Sequence, residues 1–329
     1  MASFAQRPGG WLARVRRNGV SESKVFATKA QARAWATEKE AVAQTAPSTL
    51  PRKTVAEAFE RYAEEVSSTK RGERWERVRL VAILRELGGP DGNRLLTELT
   101  TPVLAEWRSN RLEEVSPGSV LRDMNLVNSV LNVARKEWKW LDANPLKDVT
   151  RPKQPEHRRR RVAADELERI SVCLGYAEGE LAESYGAQVA VAFHFAIETA
   201  MRQGEILSLT KDAVDFEKRT AFLPKTKNGS ARTVPLSSRA IALLRQLPGE
   251  EDGRFFGVVS ASCDALFRKG RTRAMIDDLH FHDSRREATS RLSKKVDVLT
   301  LARITGHKDL KMLMIYYEED MASVAQRLD

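Results

Sequence analysis

A chain of 329 residues is longer than one ordinary hydrophobic core accommodates and points to two or three domains. Lysine and arginine total 55 against 45 acidic residues, and the resulting net charge of +10 favours a polyanionic partner, nucleic acid first. Two cysteines, Cys173 and Cys263, leave no disulfide framework and no four-thiolate zinc site, and no apolar run reaches the roughly eighteen residues of a membrane span.

The first residues, Met1-Ala2-Ser3-Phe4-Ala5-Gln6-Arg7-Pro8, lack the apolar core of a signal peptide, so the expectation is a protein that stays in a reducing cytoplasm. Residues 10–27 alternate like strands, with Trp11, Ala13 and Val15 on one face and Arg14 and Arg16 on the other, turning at Asn18-Gly19. A helix follows from Lys29 to Val42 with Thr28 as N-cap. Residues 1–45 therefore read as a small sheet closed by one helix, and Arg14 and Arg16 are either DNA contacts or a solvated face. A Pro/Ser/Thr linker runs from Thr45 to Pro51.

Residues 52–148 have helical apolar periodicity. Thr54 starts one helix (Val55, Ala58, Phe59, Tyr62), and Trp75, Val78, Leu80, Val81 and Leu84 mark a second. A third begins near Thr101-Pro102, and a fourth spans Gly118 to Trp138 before Asn144-Pro145 stops the pattern. Residues 149–161, ending in Arg158-Arg159-Arg160-Arg161, read as a basic connector that cannot enter a core and repels itself into extension, either along DNA or as an exposed hinge. From 162 to 329 the pattern is mainly helical, with a strongly apolar helix from Ala187 to Glu198. One strand-like stretch, 219–236, turns at Asn228-Gly229 and puts Lys227 at the tip.

The chemistry concentrates in four places. Arg202 lies in Thr199-Ala200-Met201-Arg202-Gln203-Gly204-Glu205, Lys225 and Lys227 are on the hairpin, His282-Asp283-Ser284-Arg285 follows, and Gly306-His307 precedes Tyr316-Tyr317. A tyrosine phenolate can attack a phosphodiester, arginines grip its non-bridging oxygens in pairs, and histidines carry protons near neutral pH. His280, His282, Asp277, Asp278 and Asp283 match no familiar zinc spacing, so no metal and no cofactor are expected.

In order and span these boxes resemble the tyrosine recombinase (phage integrase) family, and the phrasing around Arg202, Lys227 and His282 looks most like shufflon-type DNA invertases and prophage integrases. The resemblance implies a mainly α protein with small β elements. Its parts would be an arm-type β-sheet/helix domain, a helical core-binding bundle and a mixed α/β catalytic domain. It also implies residue roles. Arg202 and Arg285 hold the scissile phosphate, Glu205 orients Arg202, and Lys227 protonates the departing 5′ oxygen, with Lys225 as the alternative. His282 is base or phosphate contact, His307 donates to the phosphate, and Tyr316, with Tyr317 the alternative, forms a 3′-phosphotyrosyl link without metal or ATP. Glu318 stands where the family often has histidine, and Arg286 has no expected role. The implied partners are double-stranded DNA with specific sites, a homotetramer on two duplexes in which a tail helix Met321–Leu328 docks on a neighbouring protomer, and an accessory bending or directionality protein. No membrane is implied; the setting is the cytoplasm and nucleoid of a prokaryote or phage. Rival readings are a type IB topoisomerase-like nicking–closing enzyme and a catalytically silent DNA-binding protein.

Overall fold

A computed structural model describes residues 2–17, 20–45, 50–156, 158–224 and 231–317. The chain divides into two compact units, Met1–Glu156 and His157–Asp329. It is mainly helical with two small sheets, as the sequence implied.

In the first unit, β1 (Ala2–Arg7), β2 (Gly10–Arg17) and β3 (Val20–Phe26) form an antiparallel sheet in that order, followed by α1 (Lys29–Thr45). β1 was not anticipated from sequence. Its side chains are mostly exposed, so the apolar alternation that marks a strand is weak there. On β2, Ala13 and Val15 are fully buried while Arg14 is exposed; the Arg16 side chain and the Asn18-Gly19 turn lie outside what is described. Thr28 caps α1, accepting from the Gln31 amide at 3.3 Å.

Four further helices follow: α2 (Val55–Glu65), α3 (Glu73–Leu87), α4 (Thr101–Glu114) and α5 (Pro117–Lys136). α2 starts with a capping box, in which Glu57 and Thr54 each satisfy the other's main-chain amide at 2.8 and 3.1 Å. The apolar stripe read for α3 needs correction. Trp75, Val78 and Val81 are exposed (48%, 63% and 55%), and the buried face is Leu80, Ile83 and Leu87. The bundle also holds buried charge: Asp123 of α5 accepts two bonds from Arg79 of α3, at 2.9 and 2.5 Å, and one from Arg111 of α4 at 3.2 Å. One carboxylate thus ties three helices.

The second unit contains α6 (Ala164–Cys173), α7 (Tyr185–Thr199), α8 (Gln203–Leu207), β4 (Val214–Asp215), β5 (Thr220–Leu223), β6 (Arg232–Pro235), α9 (Ser238–Arg245), α10 (Ser260–Arg273), α11 (Asp283–Leu292), α12 (Val298–Thr305) and α13 (Lys311–Met314). The strands pair antiparallel in the order β4-β5-β6. α7 is buried on every face from Ala187 to Ile197, as its unbroken apolar run dictates. Phe193 of α7, Phe267 of α10 and Phe281 stack with centroids 4.8 to 5.5 Å apart, fixing the residue before His282 against the central helix. The hairpin tip 225–230, with Lys225 and Lys227, and everything after Tyr317, including Glu318 and the tail segment, lie outside the described residues.

The basic stretch is not a self-repelling tether, contrary to expectation. Arg158 donates to both carboxylate oxygens of Asp283 at 2.7 and 2.8 Å, Arg160 lies 3.0 Å from Glu166, and Arg161 bonds Glu287 at 2.6 Å. Asp283 and Glu287 are buried residues of α11 whose need for cations draws the run onto the fold. Arg159 is exposed.

Replacing Asp123 with Ala leaves Arg79 and Arg111 without their shared partner. We expect a loss of about 3–5 kcal/mol in the unfolding free energy from urea titration; a loss below about 1 kcal/mol would show that the network is dispensable.

Candidate active site

The site is assembled at helix ends. α7 stops at Ala200, which takes a left-handed conformation (φ 54°) and turns its carbonyl away from the helix. That carbonyl accepts from the Arg285 guanidinium, whose second arm donates to the Thr305 carbonyl at 2.5 Å, at the end of α12. Arg285 is therefore buried (5% exposed) and spans two helix C-termini, satisfying carbonyls that have no partner within their helices. Burial first, then the charges of Arg202 and Arg232, pull its pKa down to about 9, and it stays charged at neutral pH.

Arg202 is the N-cap of α8, and Glu205 closes the first turn by accepting from the Arg202 amide at 2.9 Å and its guanidinium at 2.9 Å. The other partner of Glu205 escaped the sequence reading. Arg232, beginning β6, donates to both Glu205 oxygens at 2.9 and 2.6 Å and through Nε to the Ile304 carbonyl at 3.0 Å. The Arg232 and Glu205 side chains are 7% and 9% exposed. Burial opposes ionisation of Glu205, yet the bonds from Arg232 and Arg202 hold its pKa down to about 2.

Gly306 ends α12 at φ 71°, and a Cβ there would stand 3.3 Å from the Arg232 guanidinium stem, so the glycine of the Gly-His pair serves both the turn and the clamp. His307 follows, its Nδ1 2.7 Å from the Thr305 hydroxyl. That hydroxyl gives its one proton to the Leu301 carbonyl at 2.7 Å, so it accepts from Nδ1–H and leaves Nε2 for a substrate. Burial, then the charges of Arg285, Arg202 and Arg232, push His307 down to about 4.

Tyr316, half-buried, lines a cavity of about 310 Å³ together with His282, Arg285, Arg286 and His307. His282, exposed at the N-terminus of α11, also borders a second cavity of about 550 Å³ with Arg268, Arg271 and His280. Tyr317 is placed differently. Its hydroxyl donates to the Val296 carbonyl at 2.7 Å, whereas the apolar packing is shared: both tyrosines lie against the small cluster of Leu301, Ala302 and Leu313. Of the six residues singled out for catalysis, Arg285, His282, His307 and Tyr316 share the cavity, Arg202 does not line it but its charge acts on Arg285 and His307, and Lys227 is not described. Among the described residues no group of three His, Cys, Asp or Glu gathers in a way that could hold a metal ion.

Residues 160–323 match the phage integrase family. A Haemophilus influenzae protein provisionally named integrase/recombinase is 43% identical over 98% of this chain and 88% of its own length. The shufflon-specific DNA recombinase of Escherichia coli is 35% identical over 83% of this chain and 71% of its own length. Among solved structures, a lambda integrase dimer bound to a COC′ core site has a TM-score of 0.66, covering 95% of this chain and 93% of that one, and a lambda integrase tetramer bound to a Holliday junction scores 0.64, covering 94% and 92%. Both are 18% identical, so they establish the fold. The chain belongs to the phage integrase family, the tyrosine site-specific recombinases. Within that family its relatives favour recombination of DNA over site-independent nicking and closing or silent binding.

His307, and His194 buried against Ser171 and pushed down to about 4 mainly by burial, are both neutral when folded. Each takes up a proton on unfolding between the ordinary histidine value, 6.5, and about 4. Stability is therefore complete above that window and falls as pH drops through it, by up to about 1.4 kcal/mol per pH unit per histidine. Urea midpoints measured from pH 7 to 4 should show this slope, and His307→Asn should remove its share; a flat profile contradicts the placement of both rings.

Proposed function

We propose that the protein cuts and rejoins DNA strands at specific sites through a 3′-phosphotyrosyl intermediate formed by Tyr316. The observation that carries this reading is the shared cavity, where one tyrosine, two histidines and a buried arginine face the same space. Arg285 is immobilised by two main-chain carbonyls and Arg202 by Glu205, so guanidinium charge is in place before substrate arrives. Such preorganised charge stabilises the phosphorane-like transition state, where negative charge on the non-bridging oxygens is largest. The phenol oxygen attacks phosphorus, the 5′ oxygen departs, and Lys227 on the hairpin supplies its proton, with Lys225 the neighbouring alternative. The phosphotyrosyl bond retains the energy of the phosphodiester, so a partner strand's 5′ hydroxyl reverses the step without ATP or metal.

His307 fits as the phosphate contact through Nε2. Burial first, and the arginine charges after it, keep the ring neutral; a bound phosphodiester offsets the second of these and shifts the ring toward the doubly protonated form that donates through Nε2. His282, bordering both cavities, is the proton carrier or second contact. Tyr316 is preferred to Tyr317 because the Tyr317 hydroxyl is committed to a carbonyl, while burial and then Asp297 push its pKa up.

The partner is double-stranded DNA, by analogy with the lambda integrase dimer bound to a core site. A homotetramer on two duplexes follows by analogy with the lambda integrase tetramer bound to a Holliday junction. An arm-site role for residues 1–45 rests on exposed Arg14, with Arg16 as its sequence companion; Arg159 is the member of the basic run best placed for phosphate, since Arg158, Arg160 and Arg161 have acidic partners. The domain division proposed is 1–45, 52–148, a 149–161 connector and 162–329. Integration, excision and inversion share this chemistry, and the shufflon relative makes inversion the reaction to test first. An accessory bending or directionality protein and a nucleoid setting complete the reading; among the described residues no helix is long and apolar enough to cross a membrane.

Purified protein, supercoiled plasmid carrying the DNA that flanks the gene, and EDTA should yield a covalent protein–DNA adduct and rearranged junctions. Tyr316→Phe should abolish both, a loss of at least about 10³-fold, while Tyr317→Phe keeps the adduct. An adduct surviving in Tyr316→Phe refutes the assignment.

A further inference from the structure

Arg286 follows Arg285 on α11, and neither the sequence nor the reaction outlined above gives it a task. Its guanidinium lies 5.3 Å from the centroid of the Tyr316 ring. One arm donates to the main-chain carbonyl of Arg158 at 2.9 Å, while Nε is buried with no hydrogen-bond partner among the described residues. A guanidinium that gives up a donor in this way is held by the few contacts it has, here one carbonyl and one aromatic face.

The carbonyl is itself fixed. The Arg158 side chain grips both oxygens of Asp283 and reaches Asp278 at 2.7 Å, and Asp283 opens α11, accepting also from the His280 amide at 2.8 Å. The contacts close a ring: α11 carries Arg286, Arg286 binds the Arg158 main chain, and the Arg158 side chain returns to the start of α11. Tyr316, by contrast, follows α13, a helix of four residues, too short to fix a side chain by its own stability. Tyr316 also packs on the cluster of Leu301, Ala302 and Leu313, so that apolar surface and the closed ring of contacts through Arg286, rather than the short helix, set the orientation of the tyrosine.

We propose that Arg286 is a positioning residue for the Tyr316 phenol, and that the seat of Arg158 on Asp283 sets where Arg286 stands. The placement of the nucleophile then depends on whether the basic stretch is docked on α11. Competition for Arg158, as by a DNA phosphate, would release Arg286 and with it the tyrosine. The inference rests on the reading of Tyr316 as nucleophile, and the experiment separates the two.

The test uses the full chain and a nicked duplex oligonucleotide bearing the recombination site mapped by sequencing the plasmid junctions, with single-turnover adduct formation and gel-shift affinity read side by side. Arg286→Met should slow adduct formation on the order of tenfold at unchanged DNA affinity, and Arg286→Lys should recover part of the rate, since a lysine keeps the charge over the ring without the planar fork. Arg158→Met should act in the same direction, and the Arg158→Met/Arg286→Met double variant should be no slower than the slower single. A substrate with a 5′-bridging sulfur, whose departure needs no proton, should show the same defect. The inference is overturned if affinity falls in step with rate, if the two single effects multiply, or if the sulfur substrate restores the rate. If Arg286→Met melts early, folded Arg286→Lys carries the test: a slower rate at equal affinity supports positioning, and an unchanged rate overturns it. Persistence of the adduct in Tyr316→Phe would remove the underlying reading whatever Arg286 does.

Discussion

The bidentate pair between Glu205 and Arg232 is the contact on which the geometry of the catalytic unit depends. Through it α8, β6 and the end of α12 are joined at one carboxylate, because Arg232 also binds the Ile304 carbonyl and Glu205 also binds Arg202. Arg285 crosses the same seam from α11 to the ends of α7 and α12. Three guanidiniums therefore crowd around one carboxylate, an arrangement that leaves surplus positive charge beside the cavity lined by Arg285, His307 and Tyr316. Burial first, and this crowding second, lower Arg285 and His307, and an anion beside them would relieve the second.

α11 is the second point of convergence. Its outer carboxylates, Asp283 and Glu287, take Arg158, Arg161 and Arg291, while its inner face presents Arg285. Acidic residues next to a buried arginine would offset its charge if left bare. Paired with cations, they instead lock the helix in register at the site's wall. The basic stretch thereby becomes part of the catalytic unit from Arg158 onward.

Much of this was legible in the chain, and the exceptions share a cause. Helices with strong periodicity or clear caps, such as α2 behind Thr54 and the all-apolar α7, announce themselves through local pattern. The boxes around Arg202, His282, Gly306 and Tyr316 were found because spacing along the chain is local information too. What escaped was set by partners distant in sequence: Arg232 looks like one more hairpin cation until Glu205 faces it, and Arg158 looks solvated until Asp283 does. A charged residue opening a strand whose side chain must point inward was the one available signal for Arg232. β1 was missed because an exposed edge strand hardly alternates, and the α3 stripe was misread because Trp75, Val78 and Val81 are apolar yet exposed. Glu318 and the hairpin lysines lie outside the described residues.

A double-mutant cycle between Glu205 and Arg232 tests the central claim most directly, using Glu205→Gln, Arg232→Met and both together, each followed by urea unfolding and by single-turnover adduct formation. If the pair organises the site, each single variant loses about 3–5 kcal/mol of stability because the partner's buried charge is orphaned. The double then recovers part of the stability, with a coupling of about 1–3 kcal/mol, while cleavage stays impaired in all three. Additive losses in stability, or a double variant that cleaves at the wild-type rate, would contradict the account.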